Sequence, residues 1–281
     1  MCLLPLRALR SEGGIEFDSS GDLRIPCGQC YECRRKKGVT WANRIYHESL
    51  VHDFTTVATL TYSEDPYSLN LEDPTNFLKR LRKKIGRISY YYVGEYGDHY
   101  SRPHYHFILF GAAFPDRKYL KKTDKDVRLY TSELLESVWG KGFCPISDFE
   151  PRAAYYVTSY FQKKLTGSLS SVYNGRMPEF ARMSRRPAIG RRFYDRFRSD
   201  IYSGDGIVVG GQIQPTCRYY DRRLAIDDPE YYDTIISKRE NLLTDRESNY
   251  EATVRTKTAF KKTLSDYDKA AISYLNRNSK R

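Results

Sequence analysis

Arg102-Pro103-His104-Tyr105-His106-Phe107-Ile108-Leu109-Phe110-Gly111 is the stretch on which the fold turns. Between its proline and its glycine every residue is aromatic, aliphatic or imidazole, which predicts a buried strand over 104–111. Side chains two apart on a strand share a face. His104 and His106 therefore project side by side, and Tyr105, Phe107 and Leu109 turn to the other face. Residues 88–94, Ile-Ser-Tyr-Tyr-Tyr-Val-Gly, read as a second strand. The short link from Glu95 to Pro103 makes the two strands antiparallel neighbours and brings Glu95 back toward the imidazoles. Two histidines plus a carboxylate suit Mg²⁺ or Mn²⁺, with open positions for phosphate oxygens. The bland alternatives are a packed histidine pair and a solvated turn carboxylate.

Outward from this hairpin, residues 54–61 are β-branched and alternate, as a strand does. Val39, Ala42, Ile45, Tyr46 and Leu50 fall at helical spacing over 39–50. Asp73-Pro74 opens a further helix, and Gly86 closes it. Phe77, Leu78, Leu81 and Ile85 form its inner face; Lys79, Arg80, Arg82, Lys83 and Lys84 stay outside, where solvation is a sufficient account. Thr131 to Trp139 and Pro151 to Leu165 read as helices, and Phe143 to Phe149 as a strand between them. Runs of strands broken by helices predict an α+β fold, a central antiparallel β-sheet with helices packed on one side. The expected organisation is a Cys-rich segment over 1–38, a main domain over 39–220 and a helical extension over 221–281, partly flexible at its end. The extension contains no glycine and carries 13 basic and 11 acidic residues, so most of the net charge of +12 lies before it.

The 281 residues hold 47 Lys plus Arg against 35 Asp plus Glu. Such a surface favours a polyanionic partner, nucleic acid before an anionic membrane. No run of 18 apolar residues occurs and the first residues lack a signal-peptide pattern, so a soluble intracellular protein is expected. Three of the six cysteines, Cys27, Cys30 and Cys33, lie in Cys-Gly-Gln-Cys-Tyr-Glu-Cys, where Gly28 permits the tight turn that aims thiolates at one atom. Cys2 is the candidate fourth ligand of a structural Zn²⁺. Reduced, unliganded thiols are the equal alternative, and an iron–sulfur cluster ranks behind both because Lys37-Gly38 stands where a ferredoxin run needs Cys-Pro.

Tyr155 to Lys164 is the second constellation. On a helix Tyr156 and Tyr160 are one turn apart on one face, and Lys163 and Lys164 follow on that stripe. A tyrosine that loses its phenolic proton is a covalent nucleophile, and a lysine stabilises phenolate or scissile phosphate. With 25 tyrosines in the chain, a tyrosine-rich helix packed on the sheet is the serious alternative. Arg185, Arg186, Arg191 and Arg192, in a basic stretch that runs to Arg198 with Phe193, Tyr194 and Phe197, are the candidate DNA contacts. Tyr90, Tyr91 and Tyr92 are further candidates for stacking on bases.

His-Tyr-His on a strand, followed by a helix with Tyr-x-x-x-Tyr and Tyr-x-x-Lys, resembles the HUH endonuclease superfamily. Pro26-Cys27-Gly28-Gln29-Cys30, Gly94-Glu95-Tyr96-Gly97, Arg102-Pro103-His104-Tyr105-His106, Trp139-Gly140-Lys141-Gly142 and Met183-Ser184-Arg185-Arg186-Pro187 resemble more narrowly the replication initiation proteins of gokushovirus-type microviruses. The resemblance covers roughly residues 1–220. It implies the HUH fold and site-specific nicking of origin DNA that starts rolling-circle replication in the host cytoplasm. It also implies His104 and His106 as metal ligands, with Glu95 at the position of a third. A 5′-phosphotyrosine would form, and a free 3′-OH would pass to the host polymerase. Tyr160, which carries the Tyr-x-x-Lys match, is expected to attack first, with Tyr156 alternating. No Gly-x-x-x-x-Gly-Lys-[Ser/Thr] loop occurs, so strand separation is left to a host helicase or to supercoiling. The rivals are an HUH transposase or relaxase, whose tyrosine number or order differs, and a non-catalytic zinc-containing nucleic-acid-binding protein.

Overall fold

Leu6–Ser11, Gly14–Phe17 and Leu23–Ile25 (β1, β2 and β3) form a small antiparallel sheet in the order β2-β1-β3, followed by the helix Tyr31–Ser49 (α1). In this computed structural model the described residues are Cys2, 4–97, 101–163, 171, 173–209 and 211–247; the side chains of 161–163, 240 and 242–247 lie outside that description. The helix α1 starts eight residues before the expected Val39, so the basic run Arg34 to Lys37 lies on it. Thr55–Leu60 (β4), Glu72–Ile85 (α2), Ser89–Tyr96 (β5) and Pro103–Phe110 (β6) follow where periodicity puts them. Next come the hairpin Lys118–Lys122 (β7) and Arg128–Thr131 (β8), then Glu133–Trp139 (α3), Ile146–Asp148 (β9), Pro151–Lys163 (α4) and Phe180–Met183 (β10). The seven-stranded sheet has the order β10-β5-β6-β4-β9-β8-β7, with every pairing antiparallel.

The fold is α+β, as the pattern of elements predicts, but helices cover both sheet faces rather than one. Strand alternation is the reason. Tyr92, Tyr105, Phe107 and Leu109 share a core with Phe77, Leu78 and Leu81 of α2 and with Leu135, Val138 and Trp139 of α3. Tyr91, Val93, Ile108 and Phe110 point the other way, against Ala42 and Ile45 of α1 and Ala154, Val157 and Tyr160 of α4. His104 and His106 follow the parity of Ile108 and so face α4. Tyr91 and Tyr92 are therefore buried in the two cores and unavailable for stacking on bases; Tyr90 is half-buried, with the Arg82 guanidinium 5.3 Å from its ring centre.

Two glycines permit close approaches here. A Cβ at Gly38 of α1 would stand 3.0 Å from the Thr158 carbonyl oxygen of α4. Gly142, at φ +158°, lies where a Cβ would be 2.6 Å from both the Ser63 nitrogen and the Thr61 oxygen. The Trp139-Gly140-Lys141-Gly142 segment is thus laid directly on the chain leaving β4, and the Trp139 indole donates to the Thr61 carbonyl at 2.6 Å.

The chain divides into two compact units at Ile189/Gly190. The second contains Arg191–Ser203 (α5), the hairpin Ile207–Val209 and Gln212–Gln214 (β11, β12), and the helices Arg218–Asp227 (α6) and Pro229–Glu247 (α7). Its Arg239 bridges Asp205 at 2.5 Å and Asp221 at 3.1 Å. The helical reading of the region from 221 holds as far as Glu247; residues 248–281 lie outside the described chain.

Candidate active site

The register of β5 on β6 pairs Glu95 directly with His104, and His106 stands two residues farther on the same face. Glu95 Oε1 lies 2.8 Å from His104 Nε2 and 3.0 Å from His106 Nε2, and the two imidazole nitrogens are 3.1 Å apart. Glu95 and His106 are buried, at 3% and 7% exposure. Burial by itself pushes the Glu95 carboxyl up, but hydrogen bonds from His104 and His106 outweigh it and hold the group at about 2. The far side of each ring is also engaged. His104 Nδ1 donates to the Arg102 carbonyl at 3.2 Å, which leaves Nε2 with its lone pair directed inward. His106 Nδ1 lies 3.1 Å from Thr59 Oγ1, the residue paired with it across β4 and β6. Two oriented imidazole nitrogens and one carboxylate oxygen converging in this way fit a divalent cation.

The fourth wall comes from α4. Tyr156 and Tyr160 are four residues apart on its sheet-facing side, and the Tyr160 hydroxyl donates to the Tyr156 hydroxyl at 2.6 Å. Tyr160 Oη is also 3.4 Å from His106 Nε2, and its ring stacks on the imidazole with centres 5.3 Å apart. The two phenols differ in access: Tyr160 is 5% exposed and Tyr156 51%. Burial, then the Glu95 charge and the bond to Tyr156, push the Tyr160 phenol far above its ordinary range. A helix and a hairpin some fifty residues apart in the chain thus share one cleft. Lys163 ends α4 with its side chain outside the description, and Lys164 lies outside the described residues.

The four N-terminal cysteines also converge. Cys2 Sγ is 3.5 Å from Cys27 Sγ and 3.8 Å from Cys30 Sγ, and Cys33 completes the group. The Cys27 amide donates to Cys2 Sγ and the Cys30 amide to Cys27 Sγ, each at 3.3 Å. Burial, with neighbouring thiols adding to it, raises Cys27 and pushes Cys33 up to about 12. A tetrahedral Zn²⁺ with bonds of about 2.3 Å separates its sulfurs by roughly 3.8 Å, which these thiols match.

The candidate DNA-binding arginines do not lie on one element. Arg185 and Arg186 are exposed in the turn after β10, in the first unit. Arg191 and Arg192 open α5 in the second unit, where Arg191 pairs with Asp195 at 2.7 Å and Arg192 is exposed. Tyr194 is fully buried within that unit and cannot stack on a base. Two residues at the site escape sequence reading. Thr59 is ordinary within its strand until register sets it behind His106. Lys125 sits in the β7–β8 turn, and Lys118–Lys122 is too uniformly exposed to alternate.

A sequence model of the ORF2 family of replication-associated proteins matches residues 55–165, the span from β4 through α4. The chain is 27% identical to the replication-associated protein VP4 of Bdellovibrio phage phiMH2K over 270 residues, 88% of this chain and 85% of the relative. It is 29% identical to the replication-associated protein ORF2 of Spiroplasma virus 4, covering 86% of each chain. With the replication-associated protein ORF4 of Chlamydia phage 1 it shares 27% identity, over 74% of this chain and 56% of the relative. No solved structure matches the chain at a significant level.

Proposed function

We propose that this chain, one of the replication-associated proteins of the gokushovirus-type microviruses, starts rolling-circle replication by nicking one strand of origin DNA with a tyrosine, and later rejoins it. One observation carries the reading: the Tyr156 and Tyr160 hydroxyls are 2.6 Å apart, and Tyr160 Oη is 3.4 Å from a histidine that shares the Glu95 carboxylate with His104. A structural histidine pair has no use for two converging phenols, and a tyrosine-rich packing helix has no use for a carboxylate and two oriented imidazoles.

Mg²⁺ or Mn²⁺ held by Glu95, His104 and His106 would supply positive charge to the scissile phosphate. Tyr156 is the exposed phenol, so it meets the DNA strand first, a reversal of the order expected from the Tyr-x-x-Lys match at Tyr160. Its oxygen loses a proton and bonds to phosphorus as the P–O3′ bond breaks. The 3′ oxygen takes up a proton and leaves as a free hydroxyl, available to the host polymerase. During this step the Tyr160 hydroxyl donates to the Tyr156 oxygen and stabilises its negative charge. The phosphate ester is transferred rather than hydrolysed, so rejoining is the same reaction reversed and requires no nucleoside triphosphate. After one round Tyr156 is esterified and Tyr160 is the remaining nucleophile for the regenerated origin. The Cys2, Cys27, Cys30 and Cys33 thiols would hold a structural Zn²⁺ that ties the N-terminal sheet to the start of α1. Arg185, Arg186, Arg191 and Arg192 remain the proposed backbone contacts, with a host helicase as partner for strand separation.

The test is a labelled single-stranded origin oligonucleotide incubated with the protein and Mn²⁺, then resolved on a denaturing gel. Wild type forms a covalent adduct; Tyr156→Phe slows its first appearance, Tyr160→Phe blocks the second cut, and the double variant forms none. An adduct that survives in the double variant refutes the tyrosine assignment. DNA binding by wild type without any adduct returns the chain to the non-catalytic class.

A further inference from the structure

The hairpin formed by β7 and β8 is held in shape and anchored beside the exposed phenol. The Thr123 and Val127 backbones bond at 2.9 Å across its turn, the Val127 amide donates to Thr123 Oγ1 at 3.1 Å, and Asp126 adopts φ 66°. Arg152, in the first turn of α4, donates to the Lys125 carbonyl at 3.1 Å and so fixes the turn to the helix that carries the tyrosines. Thr123, Lys125 and Val127 line, together with His106 and Tyr156, a cavity of about 570 Å³. That volume lies in the range of small-ligand pockets. Lys125 Nζ is 6.0 Å from the centre of the Tyr156 ring, and Lys125 is exposed.

Charge on this hairpin points to a polyanion. Residues 117–128 carry six basic and two acidic side chains. Several of the cations are already paired: Lys118 with Glu133, Lys122 with Asp126 and Arg117 with Asp148. Arg152 likewise pairs with Glu150, so the Asp148 and Glu150 carboxylates that face the cavity are compensated, leaving Asp124 as the uncompensated acid there. Lys125 makes no ion pair among the described residues, and it is the cation placed at the cavity mouth.

We propose that Lys125 is the phosphate-holding residue that serves Tyr156: with the nucleoside flanking the scissile bond seated in this cavity, its ammonium binds a non-bridging phosphate oxygen on the side opposite the imidazoles. Tyr160 lies behind Tyr156, so the two nucleophiles have different cationic partners. This rests on the nicking reading above. Lys125 supplies the site with charge from outside α4, and the Tyr-x-x-Lys pattern does not point to it.

Adduct formation by the full-length chain, with Mn²⁺ and the origin oligonucleotide at fixed ionic strength, separates the two ideas. Tyr160→Phe reports the Tyr156 reaction alone, and Tyr156→Phe the Tyr160 reaction alone. Adding Lys125→Ala should lower the Tyr156-dependent rate about tenfold more than the Tyr160-dependent rate, less than the loss on removing a preorganised oxyanion donor. Lys125→Arg should recover most of it. Lys121→Ala, an exposed lysine of the same hairpin outside the cavity, should produce no such split. Equal losses in both backgrounds would reduce Lys125 to general attraction for DNA and overturn the proposal, as would no loss in the Tyr160→Phe background. If neither parent forms an adduct, the nicking reading itself fails and the role of Lys125 falls with it.

Discussion

Thr59→Val tests whether the three donors form a metal centre or a self-contained ion pair. The substitution removes only a hydroxyl, on a strand where valine is at least as well accommodated as threonine. Its one direct consequence at the site is loss of the 3.1 Å contact to His106 Nδ1. Groups that orient a ligating imidazole are typically worth about 10- to 100-fold in metal affinity. The effect can be read as stability. At a Mn²⁺ concentration about 100 times the wild-type Kd, metal adds about 2.7 kcal/mol to the folded state. A tenfold weaker variant retains about 1.4 kcal/mol of that, and a hundredfold weaker one about 0.4 kcal/mol. Denaturant unfolding with and without Mn²⁺ measures the increment, and calorimetric titration measures Kd directly. Metal-free stability should stay within about 1 kcal/mol of wild type, because Thr59 is only half-buried. A variant that folds equally well and binds Mn²⁺ within twofold of wild type would refute the argument that Thr59 orients His106 as a ligand.

Three further outcomes follow from the geometry. Metal analysis of purified protein should find about one Zn²⁺ per chain, lost in Cys30→Ser, since removing one of four thiolates opens a closed tetrahedral site; unchanged zinc content would remove the cysteines as ligands. Burial holds the His47 imidazole down at about 4, so between about pH 6.5 and 4 the unfolded chain takes up a proton that the folded chain refuses. That contribution to stability is complete above pH 6.5 and is lost as pH falls toward 4, by about 3 kcal/mol, and His47→Gln should flatten this part of the urea-midpoint profile; an identical profile would show that His47 is not responsible. Gly142→Ala should destabilise by about 1–3 kcal/mol, because its Cβ would meet backbone atoms at 2.6 Å and backbone cannot rotate away; a denaturant midpoint equal to wild type would mean that the segment shifts freely.

Much of this protein is determined by local pattern alone. Alternation in 104–111 assigns the histidines to one face and the aromatic residues to the other, because the strand repeat is two and tolerates no slip without exposing Phe107 or Ile108. A nine-residue separation between Glu95 and His104 leaves a hairpin as the simplest closure, so the carboxylate's return to the imidazoles is legible in the sequence. The helical repeat does the same for Tyr156 and Tyr160. What pattern could not contain is the choice of sheet face for α4, since a strand buried on both sides offers two apolar faces and periodicity does not say which one a distant helix covers. That choice alone sets Tyr160 on His106 and leaves Tyr156 exposed. Register between β4 and β6 decides that Thr59, rather than its neighbours, backs His106. The edge hairpin that delivers Lys125 has no buried face, hence no alternation, and the Arg152 bond that anchors it spans 27 residues. Residues that act through a neighbour one bond away in the chain are visible in sequence; those that act through a partner strand or helix exist only once the sheet has closed.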